Sequence, residues 1–217
     1  MASPDLPSLI RAELSGHAWW IIYLRYVCAT AVILCTIFLT QNMGAKLDPA
    51  PLYAIAAVLV GTNGLYTLHL SRAARGTGMV SPEAAFRSVT LQAGADLFLL
   101  TLLLHFSGGV ANPLMALYAG PILIAGFLLS TRVTYALTGL AAVLYGGMAV
   151  LEYRGAIPHV SVPGLFPPTL HRSESYLMVV FVAFVLVVGL AAVVSLMVSG
   201  RLRTGQAPDG MEEEWTA

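Results

Sequence analysis

Six stretches of this chain are each apolar for about 17–25 residues. They fall near Tyr23–Thr40, Leu52–His69, Val89–Phe106, Pro113–Ser130, Val133–Leu151 and Tyr176–Ser199. At 1.5 Å per residue such a run matches the ~30 Å hydrocarbon core of a bilayer. In lipid the backbone must satisfy its own hydrogen bonds, so only helices and closed barrels cross. None of the runs alternates polar with apolar residues as a barrel strand would. The pattern implies an all-α integral membrane protein with six transmembrane helices. Charged residues are only 10% of the chain and hydrophobic ones 58%. A soluble domain carries ~25% charged residues, so water-soluble classes are excluded. The formal net charge of zero argues against nucleic acid as a partner.

Orientation follows from the basic residues. Arg11, Arg25, Arg72, Arg75, Arg87, Arg132, Arg201 and Arg203 fall on one side of the six runs, and Lys46, Arg154 and Arg172 on the other. The expectation is that both termini are cytoplasmic, in a multi-pass protein of a bacterial cytoplasmic (inner) membrane. No basic cluster precedes the apolar run Val27–Leu39, and no small-residue cleavage site follows it, which marks a retained anchor. Three parts are expected: an N-terminal tail over 1–22, a six-helix membrane domain over 23–200, and a short polar tail over 201–217 ending in Glu212, Glu213 and Glu214. Leu6, Ile10 and Leu14 recur at helical spacing before Trp19 and Trp20, the pattern of an in-plane amphipathic helix with an aromatic anchor. The longest loop, near Glu152–Ser175, carries Pro158, Pro163, Pro167 and Pro168 and is expected to lie against the membrane surface over the outer face.

On that outer face lies an uncharged corner, Ser107-Gly108-Gly109-Val110-Ala111-Asn112-Pro113. Glycine admits φ > 0, asparagine is a good helix N-cap and proline suits the first helical position. The segment reads as one helix stopping and the next starting. Helix ends leave carbonyls on one side and N–H groups on the other, which can hold a small polar ligand. A tight hairpin with nothing bound uses the same residues.

Asp96 lies mid-way along the third run, where an ionised carboxylate is costly and marks function by default. Gln92 is one turn away on the same face, and with Asn63 these residues are expected to bond helix 2 to helix 3 or to relay a signal. Asp96 is twelve residues from Gly108, about 18 Å along a helix, so it is separate from the corner. His105, His159 and His171 all fall on the outer side, but their spacing is not that of a metal-ligand motif and no metal is assigned. Pro121 is expected to kink helix 4. Cys28 and Cys35 lie two turns apart on one helix, too far to bridge, and read as buried small residues. There is no phosphate loop, nucleophile elbow or zincin motif, so no enzyme activity is expected of this chain.

Gln92-x-x-x-Asp96, Leu102–Phe106, Gly108-Gly109-x-x-Asn112-Pro113-Leu114, Pro121 and Ala125 together resemble the membrane domain of RegB/PrrB-type redox sensor histidine kinases. That family has a six-helix input domain with a Gly-Gly-x-x-Asn-Pro-Phe segment between helices 3 and 4, associated with ubiquinone binding. Arg25-Tyr26 resembles its Arg-Trp, and Leu170-His171 its Leu-His; the similarity covers about residues 20–203. Leu114 departs from the motif's aromatic residue, and Arg172-Ser173-Glu174-Ser175 from its Gly-Met-containing run. No phosphoacceptor histidine follows Arg203. The resemblance implies a redox-sensing input domain without its own kinase core. It would bind ubiquinone or menaquinone at His105, Gly108, Gly109, Asn112, Pro113 and Leu114, with Asp96, Gln92 and Asn63 as an intramembrane relay. Implied partners are the lipid bilayer, a second copy of the chain or a larger membrane complex, and a kinase or response module in trans. An accessory subunit of a respiratory or photosynthetic electron-transfer complex is the alternative. A small transporter is weaker, since no inverted repeat is evident.

Overall fold

The computed structural model describes residues 6–42, 47–73, 82–165, 167 and 169–204, with the backbone alone for 6–19, 70, 73, 82 and 201–204. The acidic tail, Lys46, Arg75, Phe166 and Pro168 lie outside the described residues. The described chain is helical, with α1 (Leu6–Ile37), α2 (Pro49–Ala73), α3 (Pro82–Phe106), α4 (Ala119–Leu128), α5 (Thr131–Tyr153) and α6 (Glu174–Thr204). Five segments are long and apolar enough to cross a membrane: Trp20–Asn42, Pro49–His69, Glu83–Phe106, Thr131–Tyr153 and Glu174–Gly200. The chain is a multi-pass membrane protein on that ground. Helix α1 is continuous from Leu6, so no break separates the N-terminal segment from the first span, and a π-helical turn, Phe38–Asn42, ends it.

The fourth apolar segment departs most from expectation. It opens as a 3-10 helix, Pro113–Tyr118, and becomes α-helical only at Ala119. Pro121 therefore occupies the first turn of α4 rather than kinking a long helix. The cause is local. Pro121 has no N–H to donate to the carbonyl four residues back, so the α ladder cannot extend through Leu117.

Helices α1 and α2 pack together and against α3; α3 leads to α4 and α5, and α6 closes on both. The core between α3, α4, α5 and α6 is made of Leu97, Leu104, Ile122, Ala141 and Val188 around three buried rings, Tyr118, Tyr145 and Phe184. Tyr145 stacks on Phe184 with centroids 4.3 Å apart, and Tyr118 meets Phe184 edge-on at 5.0 Å. Lipid is as apolar as these side chains, so close packing rather than water exclusion holds the helices. The approach of α4 to α6 shows this. A Cβ added to Gly126 would lie 1.8 Å from Ser195 Oγ, so only glycine permits that crossing. Cys28 and Cys35 are exposed on the outside of the helices rather than buried.

Candidate functional site

The corner closes on itself. Gly108 and Gly109 take φ of 124° and 59°, the left-handed region, and the chain makes a short 3-10 turn at Gly109–Ala111. Asn112 is buried and caps the next helix: its Oδ1 accepts from the Leu114 N–H at 2.9 Å. Its Nδ2 donates to the Ser107 carbonyl at 3.0 Å and to Ser107 Oγ at 2.6 Å. Pro113 and Leu114 are exposed. Asn112 thus spends its polar groups on the turn itself. In the structure its side chain shapes the corner.

What the corner positions is Glu152, a residue sequence reasoning had left at the start of a loop. It lies in the last turn of α5, and its side chain is fully buried. A carboxylate there is doubly disfavoured, by burial and by the negative end of the helix. Two imidazoles compensate. His105, in the last turn of α3, holds Glu152 Oε1 through Nδ1 at 2.8 Å. His159, in the loop after α5, holds Oε2 through Nδ1 at 2.7 Å. A carboxylate only accepts, so both histidines donate from Nδ1. Gly109 makes room, since a Cβ there would lie 2.4 Å from Glu152 Oε2. The second glycine of the corner is therefore required by the carboxylate as well as by the turn.

His159 stacks on His171 with centroids 4.0 Å apart and planes 19° from parallel. His171 sits in a 3-10 turn, Leu170–Arg172, just before α6. Together with Arg154, Ile157 and Arg172 these residues line a cleft of about 620 Å³. The loop is held down further along, where Val162 is buried among Leu47, Leu52 and Ile55. So the three outward histidines do converge, organised by a carboxylate. Among the described residues no group of three or more His, Cys, Asp or Glu side chains is placed to hold a metal.

The intramembrane residues form a separate cluster with a different wiring from that expected. Asp96 pairs with Arg25 of α1, Oδ1 to Nη2 at 3.1 Å. Arg25 is 4% exposed, donates to Thr62 Oγ1 at 3.3 Å, and lies over the Tyr66 ring at 5.1 Å. It is an interior residue, not part of the basic flank. Asn63 donates to the Ile22 carbonyl of α1 at 2.7 Å, and Gln92 donates to Ser88 Oγ of its own helix at 3.0 Å. The cluster ties α1 to α2 and α3 instead of bonding α2 to α3. Arg25 Nε and Nη1, Asn63 Oδ1 and Gln92 Oε1 are buried without hydrogen-bond partners.

Two signals could have found the missed residues. Glu152 is an acid in the last turn of a helix, where the dipole disfavours it, so it calls for donors from elsewhere. Arg25 is the one basic residue beside the first apolar run that an intramembrane Asp96 could use. No family model matches the chain, and neither a curated protein nor a solved structure matches it.

Proposed function

We propose that this chain is a quinone-binding, redox-sensing membrane input domain, and that the quinone headgroup sits in the outer cleft beside Glu152, His159, His171 and Arg172. The observation that carries the reading is the carboxylate with an imidazole on each oxygen, set at the wall of a cleft where an apolar helix meets a polar loop. Glu152 fixes Nδ1 of His159 as the donor, which leaves Nε2 as the nitrogen for a ligand. Neutral His159 then accepts from a quinol hydroxyl, and the protonated ring donates to a quinone carbonyl. The network thus distinguishes the two redox forms by the proton each requires. In this reading His105, Gly108, Gly109, Asn112 and Pro113 build the support behind the cleft, and Leu114 faces lipid. The resemblance of the corner to the sensor-kinase segment supports the same assignment.

Such a sensor needs its cleft and its output on opposite faces, and the helix geometry favours six crossings. His105 at the end of α3 touches Glu152 at the end of α5, so α3 and α5 run the same way and the chain between them must return. That return has six 3-10 residues and ten α residues, about 27 Å at 2.0 and 1.5 Å per residue. It approaches the ~30 Å of a bilayer core. With Arg25 taken out of the flank, seven basic residues still oppose three, which favours cytoplasmic termini in a bacterial inner membrane. Tyr153 donates to Glu174 Oε1, coupling the cleft to the first turn of α6. Helix α6 then runs to Thr204 and would carry the packing change to a phosphotransfer module. The chain itself performs binding and not catalysis.

Titration of the lipid-reconstituted protein with ubiquinone and menaquinone tests this. The wild type is expected to bind at least one of them. Glu152→Gln is expected to weaken that binding by about ten-fold or more, because it removes a charged acceptor from both histidines. Unchanged affinity in Glu152→Gln, or no binding of either quinone, overturns the assignment.

A further inference from the structure

Below the cleft, the lipid-facing seam between α5 and α6 is not flush. A second hollow of about 480 Å³ runs along it, lined by Gly146, Gly147, Val150, Leu177, Met178 and Phe181. Nearly all of its lining is carbon. Its floor is open at Gly147, whereas Gly146 is packed against Phe181, whose Cε2 lies 2.8 Å from where a Cβ would be. A Cβ on Gly147 meets nothing within 4 Å. Tyr153 lines both this groove and the polar cleft above it. Its hydroxyl bonds Glu174, forming a sill where one space passes into the other. A polar chamber and an apolar groove that adjoin at Tyr153 together have the shape of an amphiphile.

We infer that the cleft and the groove are one site, holding a neutral amphiphile with a flat headgroup above Tyr153 and a hydrocarbon chain between α5 and α6. The groove residues on α5 run from Ala142 to Val150, eight residue steps or about 12 Å along the helix. Two features choose the head. The stacked His159 and His171 rings present a planar surface, which suits another ring. The formal charges around the mouth also sum to zero, two arginines (Arg154, Arg172) against two carboxylates, Glu152 in the lining and Glu174 on the Tyr153 hydroxyl. That balance gives no net attraction for a phosphate and so favours an uncharged head over an anionic phospholipid. The inference rests on the quinone reading of the same cleft and adds that the ligand is recognised by its chain as well as its ring.

The test compares a chainless dimethoxy-methyl-benzoquinone with its decyl-chain analogue, both corrected for partition into the bilayer, on wild type and on Gly147→Phe. The expected result is that wild type prefers the decyl compound by about five-fold or more, an energy that burial of a few methylenes readily supplies. Gly147→Phe should erase that preference while leaving chainless binding unchanged, which also shows that the variant folds. Equal binding of both compounds to wild type, or no effect of Gly147→Phe, overturns the chain groove but leaves the headgroup site standing. Failure of wild type to bind either compound removes the quinone reading and this inference with it. Displacement of the decyl quinone by an anionic phospholipid, competitively and at the cleft, overturns the choice of a neutral head.

Discussion

Arg25→Met is expected to destabilise the bundle by about 3 kcal/mol, the low end of the loss when a buried ion pair is broken, because the Asp96 side chain is 23% exposed. The arginine reaches Asp96 at 3.1 Å and Thr62 at 3.3 Å, so its loss strands a carboxylate among three helices. An isolated charge there must either be desolvated or drag water in. Adding Asp96→Asn is expected to recover most of the loss, because it removes the stranded charge while keeping a similar shape. The pair is therefore worth less than either single change suggests, and a double-mutant cycle measures the difference. The measurement is unfolding in a graded denaturing-detergent series. A single variant as stable as wild type, or a double variant no better than the single one, would mean that Arg25 and Asp96 do not depend on each other.

Gly109→Ala is the second large effect. At φ +59° a side chain costs about 1–2 kcal/mol from backbone strain alone. The added methyl would also lie 2.4 Å from Glu152 Oε2, so the carboxylate must move off His159. Gly155 provides the control. It has φ +69° but nothing within 4 Å of an added Cβ. Gly155→Ala should therefore show only the backbone strain, and Gly109→Ala that strain plus loss of the histidine network. Thermal unfolding separates the two, the loss in Gly109→Ala exceeding that in Gly155→Ala. Equal behaviour of both variants would show that Gly109 serves only the turn.

Much of the fold is legible from the chain because lipid imposes one rule, that each crossing segment satisfies its own backbone. That rule locates the apolar runs that form α1, α2, α3, α5 and α6. It fails in detail at Pro113–Leu128, where proline at two positions replaces the α ladder by a tighter helix that no hydropathy window detects. The corner was legible as a place where the backbone needs glycine and a capping asparagine, since those are local demands. What the glycine accommodates was not legible. Glu152 lies 43 residues beyond Gly109, and only the parallel run of α3 and α5 brings them together. Arg25 was misread for a related reason. Counting basic residues treats each one near a helix end as a flank, whereas Asp96 gives this one an interior partner. Asn63 and Gln92 were legible as intramembrane polar residues, but the direction of an amide is set by packing that spacing does not reveal.

Photolabelling with an azidoquinone, followed by peptide mapping of the lipid-reconstituted protein, addresses the central claim most directly. The account expects label on the segment from Glu152 to Arg172, with His159 and His171 the principal acceptors, and competition by unlabelled quinone. Label spread evenly over the lipid-facing helices and indifferent to competitor, or concentrated at the Arg25–Asp96 cluster, would contradict it.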